Sequence, residues 1–155
     1  MADDMDITVS TVVGVPIDEV FAYLCDPENR YAAWPSLLEA TDFQPLPKGG
    51  YQFRFTFCVG PAKYRGTSRD AEHVPQERIV THVRGGVSGS VTYECETVDD
   101  GNTRLTVRSQ LRVAEPLMVE FAKTLISRHQ KWELDSVLNN LKTALENHRS
   151  RQGRC

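Results

Sequence analysis

The stretch GYQFRFTFCVG, residues 50–60, reads as a strand with one aromatic face. Side chains alternate between the two faces of an extended chain, so every second residue points the same way. One face therefore carries the large apolar side chains of Tyr51, Phe53, Phe55, Phe57 and Val59. So wide an aromatic wall must be covered, either by packed side chains or by a bound molecule. Which of the two covers it bears directly on what the protein does.

The length and composition of the chain predict one globular domain. It has 155 residues, of which 40% are hydrophobic and 25% are charged. A chain of this length buries roughly two thirds of the surface that it exposes when unfolded, and it leaves no room for a second domain. We expect the domain to span residues 1–148. The last residues, RSRQGRC at 149–155, have no apolar anchor and are expected to form a disordered tail.

Charge, hydropathy and cysteine spacing argue against several classes of function. The formal net charge of -3 argues against a broad nucleic-acid-binding surface. No segment reaches the roughly 20 apolar residues that span a bilayer, and the acidic start MADDMDITV is unlike a secretory leader, so we expect a cytoplasmic protein without stable membrane insertion. The four cysteines show no CxxC spacing. We therefore expect reduced thiols, no metal site and no cofactor.

The order of predicted elements is a strand, two short helices and a run of further strands. Alternating apolar residues over 5–13 predict the first strand. Pro16, followed by two acidic residues, starts a short helix, and Asp26 before Pro27 starts a second one. Turn sequences between residues 45 and 102 then divide the chain into about six more strands, which predicts an antiparallel meander.

A long helix is predicted to close the chain over residues 116–148. The segment has no Gly or Pro after Pro116 and is rich in residues that favour helices. Its apolar stripe changes side between residues 129 and 134, so we expect its two halves to face different partners. We expect the first half to lie over the aromatic wall and the second half to pack near the first strand.

The segment VPIDEVFAYLCDPENRYAAWPSL, residues 15–37, resembles the START-like (SRPBCC) superfamily, in particular its polyketide cyclase/dehydrase and lipid-transport branch. The residues that carry the resemblance are Pro16, Val20, Phe21, Asp26, Pro27, Glu28 and Trp34. The hairpin DGNTRLTV at residues 100–107 is similar as well. The resemblance implies an α+β helix-grip fold: a curved antiparallel sheet of about seven strands, two short helices after strand 1, and a long C-terminal helix over the concave face.

The resemblance also implies a cavity between sheet and C-terminal helix that takes a hydrophobic small molecule, such as a lipid, a polyketide or an aromatic ligand. The side chains expected to face it are Phe53, Phe55, Phe57, Tyr64, Thr81, Tyr93, Ser109, Leu111, Phe121, Leu125, His129 and Trp132. Rings with a few hydroxyls and one imidazole are typical of ligand cavities. A packed core is the alternative, because aromatic stripes on strands also pack against one another.

Two residues near this set have other interpretations. Trp34 is expected to close one end of the fold in a structural role. Arg65 is expected on a solvated strand face, because an unpaired buried guanidinium is costly. In the opposite orientation Arg65 would bind a carboxylate or phenolate of the ligand.

Three functions fit the pattern. The leading one is a carrier or binding protein for the hydrophobic ligand, as a monomer or a homodimer. The second is an aromatase/cyclase-type enzyme that uses the same pocket, with His129, Tyr64 and Tyr93 as the candidate groups for proton transfer. The third is a module that binds a protein partner. No nucleophile or phosphate-loop motif is present, so no catalytic residue is assigned.

Overall fold

The computed structural model describes residues 6–59, 62–113 and 120–152, and the side chains of residues 6–59, 63–112 and 128–147. In chain order its elements are β1 (Asp6–Val13), α1 (Ile17–Cys25), α2 (Pro27–Tyr31), β2 (Leu37–Pro45), β3 (Tyr51–Val59), β4 (Ala62–Val74), β5 (Arg78–Gly85), β6 (Val87–Asp99), β7 (Asn102–Val113) and α3 (Glu120–Gln152). The predicted order of strands and helices is confirmed. The expected domain of residues 1–148 and tail of residues 149–155 stay a prediction.

The strands form one antiparallel sheet in the order β1-β7-β6-β5-β4-β3-β2. Each of β2 to β7 pairs with its neighbour along the chain, which is the predicted meander, and β1 pairs with β7. The sheet curves. On β6, Gly89 has a φ of 132°, and its backbone lies so near β7 that a Cβ at this position would clash with the carbonyl oxygen of Gln110. The helix-grip α+β fold is confirmed.

The two short helices begin as their sequences predict. Ile17 is the first residue of α1, and Pro16 immediately precedes it. At α2, the Asp26 carboxylate accepts a hydrogen bond of 2.9 Å from the backbone N–H of Glu28 while Pro27 opens the helix. Such a cap satisfies one of the donors that a helix start leaves free. The cap fixes the residue at which α2 begins after α1.

The second half of α3 packs on β1, as predicted. Its buried side chains are Leu134, Val137, Leu138, Leu141 and Leu145. Two polar contacts also hold this half of the helix: the Lys142 ammonium donates to the Val12 carbonyl at 2.7 Å, and Glu146 accepts from the backbone N–H of Gly14 at 2.9 Å. No helix in the described ranges is both long and apolar enough to span a bilayer.

Replacing Leu141 by alanine tests this packing. Leu141 is 1% exposed, so the substitution removes buried methyl groups and leaves a cavity between α3 and the sheet. We expect the free energy of unfolding to fall by about 2–5 kcal/mol in urea denaturation. Asn139→Ala, at an exposed position of the same helix, is the control and should change it little. Equal effects of the two substitutions would show that this half of α3 is not packed.

Candidate ligand-binding cavity

An unfilled space lies between the sheet and the α2–β2 segment, which we define as residues 27–37. Its volume is about 70 Å³. A single water needs about 10–15 Å³ on this scale, so the space has room for several waters. It is smaller than the several hundred Å³ that are usual for small-molecule sites. The rings of β3 therefore leave a small space in front of them unfilled.

Half of the expected site residues line this space. They are Phe53, Phe55, Phe57, Thr81, Tyr93 and Leu111. Sequence reasoning missed the other lining residues, which are Arg30, Tyr31, Trp34, Leu37, Ser68, Val83, Val87 and Val91. Val83 and Val91 had a usable signal, because each lies two residues from an expected site residue on the same strand face. The sequence around Arg30 gave no such signal, because a charged residue in a short helix is normally exposed to solvent.

The remaining expected residues lie elsewhere. Ser109 lines a smaller cavity of about 10 Å³ that adjoins the first. Tyr64 is half-buried at the margin of the core and, among the described residues, is not part of either lining. The side chains of Phe121 and Leu125 lie outside the described part of the chain. Arg65 is exposed, as its strand alternation predicted.

Trp132 is a correction to the expected site. It is 53% exposed, whereas Glu133 and Leu134 beside it are each 1% exposed. Successive residues of a helix point about 100° apart, so two neighbours that face inward turn Trp132 toward solvent. The apolar stripe thus changes side just before Leu134. Trp132 lies before that change, and its side chain faces solvent and not the cavity.

Trp34 was expected in a structural role at one end of the fold, and it also lines the cavity. Its indole N–H donates a hydrogen bond of 3.0 Å to the Tyr93 hydroxyl, and both side chains line the cavity. Burial raises the pKa of Tyr93 above its usual value, outweighing the lowering by the charge of Arg30 and by the Trp34 bond. The phenol therefore stays protonated at neutral pH, and its own proton is available to an acceptor in the cavity.

A buried ion pair joins α2 to β4 at the edge of the cavity. Two guanidinium nitrogens of Arg30 donate to the two carboxylate oxygens of Asp70 at 2.9 and 2.8 Å. The carboxylate also accepts from the Thr81 hydroxyl and from the backbone N–H of Tyr51, each at 2.9 Å. The Asp70 side chain is 2% exposed. A bidentate pair with further donors is the geometry that makes a buried charge tolerable.

The surroundings of the pair keep both groups charged. Burial alone would raise the pKa of Asp70, but the hydrogen bonds and charge of Arg30, with the bonds from Tyr51 and Thr81, hold that pKa below its usual value. Burial likewise works to lower the pKa of Arg30, and Asp70 outweighs it, so the pKa of the guanidinium is raised. The cavity thus has a polar edge whose net charge is close to zero.

A second polar cluster ties α3 to the α2–β2 segment. The Ser36 hydroxyl donates to Glu133 at 2.6 Å, and its backbone N–H donates to the other carboxylate oxygen at 2.9 Å. Nε2 of His129 lies 2.9 Å from the same hydroxyl oxygen. Burial raises the pKa of Glu133, in spite of the Ser36 bonds and the nearby His129. The two Ser36 bonds to Glu133 join α3 to the residue that precedes β2, so this cluster positions the helix.

His129 therefore has a different place from the expected one. Its ring is at the margin of the cavity, with its centroid 6.4 Å from that of Phe57, and its Nε2 faces Ser36. Among the described residues no group of three or more His, Cys, Asp or Glu side chains is arranged to hold a metal ion. The polar side chains that line the two spaces carry a phenol, hydroxyls and a guanidinium, with the amide of Gln130 and the carboxyl group of Glu133 at the smaller one.

A curved antiparallel sheet around a C-terminal helix, with an aromatic cavity between sheet and helices, defines a START-like helix-grip domain. The profile of the family described as polyketide cyclase/dehydrase and lipid transport matches residues 4–146. The chain therefore belongs to this family, a branch of the START-like (SRPBCC) superfamily, and the resemblance seen in the sequence is confirmed.

Solved structures with the same fold are distant in sequence. The ZhuI aromatase/cyclase from Streptomyces sp. R1128 has a TM-score of 0.74 at 19% identity, covering 91% of this chain and 93% of that one. A START superfamily protein from Mycobacterium smegmatis has a TM-score of 0.71 at 14% identity, covering 92% and 97%. A protein from Thermus thermophilus has a TM-score of 0.73 at 12% identity, covering 90% and 96%. The comparison with curated proteins finds no match.

The substitution Asp70→Asn tests the buried pair. It removes the negative charge that compensates Arg30 and leaves a guanidinium buried without its counter-ion. We expect the free energy of unfolding to fall by about 3–5 kcal/mol, because breaking a buried pair costs more than the pair itself contributes. Urea denaturation at pH 7 measures this. Glu72→Gln is the matched control: Glu72 is on the same strand as Asp70, its carboxylate is exposed and pairs with Arg78 of β5, and its replacement should have little effect.

The pH dependence provides a second readout of the same variant. The pKa of Asp70 is lower in the folded than in the unfolded chain, so its contribution is fully present above the unfolded value of about 3.9 and is lost as pH falls through the folded value. The stability of the wild type should therefore fall more steeply in acid than that of Asp70→Asn. Parallel acid limbs would contradict a charged, paired Asp70.

Proposed function

We propose that this protein binds a compact, hydrophobic, ring-containing small molecule in the cavity between the sheet and the α2–β2 segment. The observation that carries the proposal is the unfilled aromatic space itself. Three phenylalanines of β3, each 7–9% exposed, form one wall without filling the room in front of them. Native interiors are normally close-packed, so an unfilled space in the core is an exception that needs a reason.

The physical chemistry of the lining favours an apolar guest. Transfer of apolar surface out of water contributes roughly 25 cal/mol for each Å² buried, and a flat ring offers two faces to such walls. Cavities lined by apolar side chains stay dry when empty and accept apolar molecules. Polar groups are few, at Arg30, Ser68, Thr81 and Tyr93. They orient a guest, while the rings and valines supply most of the binding energy.

Family membership supports the same conclusion at a coarser level. The family is described by polyketide cyclase/dehydrase activity and by lipid transport, and both involve a hydrophobic small molecule. The small volume of the cavity favours a ring-containing guest over a long acyl chain. We further propose a cytoplasmic location, where Cys25, Cys58 and Cys95, which are free thiols in the structure, stay reduced.

An aromatase/cyclase-type reaction is a second candidate, and the Tyr93 hydroxyl is the observation that favours it. This phenol accepts from Trp34 and keeps its proton at neutral pH. A neutral donor in an apolar cavity can polarise the carbonyl of a bound polyketone and favour attack by a second carbon held nearby. The structural neighbour from Streptomyces sp. R1128, described as an aromatase/cyclase, has the same fold.

Binding of naphthalene derivatives to Phe55→Ala tests the proposed function. Phe55 is 8% exposed and supplies part of the aromatic wall. Its removal should weaken binding of 2-acetylnaphthalene roughly 2- to 10-fold, the range typical of one lost aromatic contact. Isothermal titration calorimetry on folded variants measures the dissociation constant.

Thr56→Ala, on the opposite face of the same strand, is the matched control and should bind like the wild type. Native mass spectrometry of the freshly purified protein adds an independent check, since a ligand acquired in the cell would appear as added mass. If the wild type binds no aromatic probe, or if Phe55→Ala and Thr56→Ala bind alike, the cavity is not the binding site.

Tyr93→Phe separates the binding protein from the enzyme. The variant keeps the ring and loses only the hydroxyl. If the protein is a cyclase, we expect Tyr93→Phe to bind a linear poly-β-ketone with little change and to form its cyclised, dehydrated product at least 100-fold more slowly, as expected when a positioned proton donor is lost. Mass spectrometry detects the product by loss of water. Absence of product with the wild type would leave binding as the function.

A further inference from the structure

The outer face of the sheet, which is the face turned away from the cavity, carries its charges in two separate groups. Outward-facing side chains alternate with buried ones along each strand. In the first group every arginine lies beside a glutamate, and the pairs are Arg78 with Glu72 and Glu77, Arg104 with Glu96, and Arg108 with Glu94. The positive charges of this group are therefore compensated within the face itself.

The second group consists of four arginines around Thr67, which we call the arginine cluster. Arg54 of β3 and Arg84 of β5 lie on either side of Thr67, because Thr67 pairs with both in the strand register. Arg65 and Arg69 lie two residues before and two residues after Thr67 on β4, so they share its face. Diagonal neighbours in a sheet are roughly 7–8 Å apart, which is within reach of long side chains.

The charges of the arginine cluster are poorly compensated by the described residues. All four arginines are exposed. Arg54 has an ion pair of 3.7 Å with the exposed Asp42, and Arg69 donates to a neutral side-chain amide at 2.9 Å. Arg65 and Arg84 have no ion pair within the described part of the chain. This patch thus carries a positive charge in a chain whose formal net charge is -3.

A patch of one sign of charge attracts the opposite sign and repels itself. Binding of an anionic group would relieve the repulsion among the four guanidinium groups. Each guanidinium also presents a planar fork of donors that matches a carboxylate in geometry. The arginine cluster therefore has the chemistry of a binding surface for several carboxylates at once.

The limits of the arginine cluster indicate the shape of its partner. Arg54 and Arg84 are separated by two strand spacings, about 10 Å, and Arg65 and Arg69 by four residues, about 13 Å. Beyond the cluster the same face carries the carboxylates of Glu72, Glu94 and Glu96. A nucleic acid or an anionic membrane laid across the face would meet these carboxylates and be repelled. A compact group of carboxylates fits the cluster without reaching them.

We propose that the arginine cluster is a docking site for an acidic helix of another protein. Acidic residues at i, i+4, i+7 and i+11 share one face of a helix, with neighbours about 5–6 Å apart, so they form such a compact group. The large exposed hydrophobic side chains are outside the cluster, and they are Val12, Leu38, Val98 and Trp132. The contact is therefore electrostatic and sensitive to salt.

The proposed docking site goes beyond the binding of a ligand, because it uses the opposite face of the same strands. Phe53, Phe55 and Ser68 line the cavity, and Arg54 and Thr67 alternate with them along β3 and β4. A partner can consequently dock on the outer face while the cavity is occupied or empty.

An alanine-based helical peptide of about 20 residues tests the proposal on the full-length protein at low salt. One version carries four glutamates at i, i+4, i+7 and i+11, and the control version has the same composition with the glutamates spread around the helix. Two-dimensional NMR should show saturable shifts of the backbone N–H groups of Arg65, Thr67 and Arg84 with the first peptide. The N–H of Thr106, which lies between the paired Arg104 and Arg108, should not shift.

Two double variants assign the binding to the arginine cluster. Arg65→Gln/Arg84→Gln removes two uncompensated charges and should weaken binding of the first peptide roughly 3- to 10-fold, the range expected for two exposed ion pairs. Arg104→Gln/Arg108→Gln makes the same change in net charge on the same face and should bind like the wild type. All four positions are exposed, so both variants should stay folded.

The remaining outcomes decide against the proposal. It is overturned if the wild type binds neither peptide or both equally well, or if the two double variants weaken binding alike. It is also overturned if phosphatidylserine vesicles or a DNA duplex bind more tightly than the first peptide, because the partner would then be a membrane or a nucleic acid. Binding that survives about 1 M salt, where charges are screened beyond roughly 3 Å, contradicts an electrostatic contact.

Discussion

The buried ion pair between Arg30 and Asp70 fixes the position of the α2–β2 segment against the sheet. The pair joins the end of α2 to the middle of β4, and Tyr51 and Thr81 bring the neighbouring strands into the same contact. Because both charges are buried, moving one partner away would leave the other as a buried charge without its counter-ion. The segment is therefore held at a set distance from the rings of β3. The unfilled space lies between this segment and those rings.

Small residues on the inner face of β4 complete this arrangement. Gly66 lies opposite Phe55, and a Cβ at that position would come within 2.7 Å of the phenylalanine ring. Ser68, which also faces inward, lines the cavity. The rings of β3 thus lie against a strand that offers little side-chain volume, so the space in front of them stays open. We expect an interior of this shape to favour a flat molecule. The few polar groups in its lining would then select among flat molecules by their hydrogen-bonding groups.

Much of the fold could be predicted from the sequence, because its signals are local. Strand alternation, the Asp26–Pro27 helix start and the turn sequences each depend on residues near one another in the chain. The aromatic side of the cavity followed from the same alternation. The pairing of Arg30 with Asp70 could not be predicted, since it joins residues 40 apart and neither has a distinctive local pattern. Trp132 was placed wrongly because the apolar stripe of α3 changes side within one turn.

Side-chain methyl NMR with a small aromatic guest tests the central claim most directly, which is that an unfilled aromatic cavity takes a compact hydrophobic molecule. Val83, Val91 and Leu111 line the cavity, whereas Val98 is exposed near the end of β6. On titration with naphthalene, ring-current shifts should appear at the methyl groups of the three lining residues and saturate together, with the Val98 signals unchanged. Unchanged lining methyl groups, or shifts confined to exposed residues such as Val98, would contradict the account.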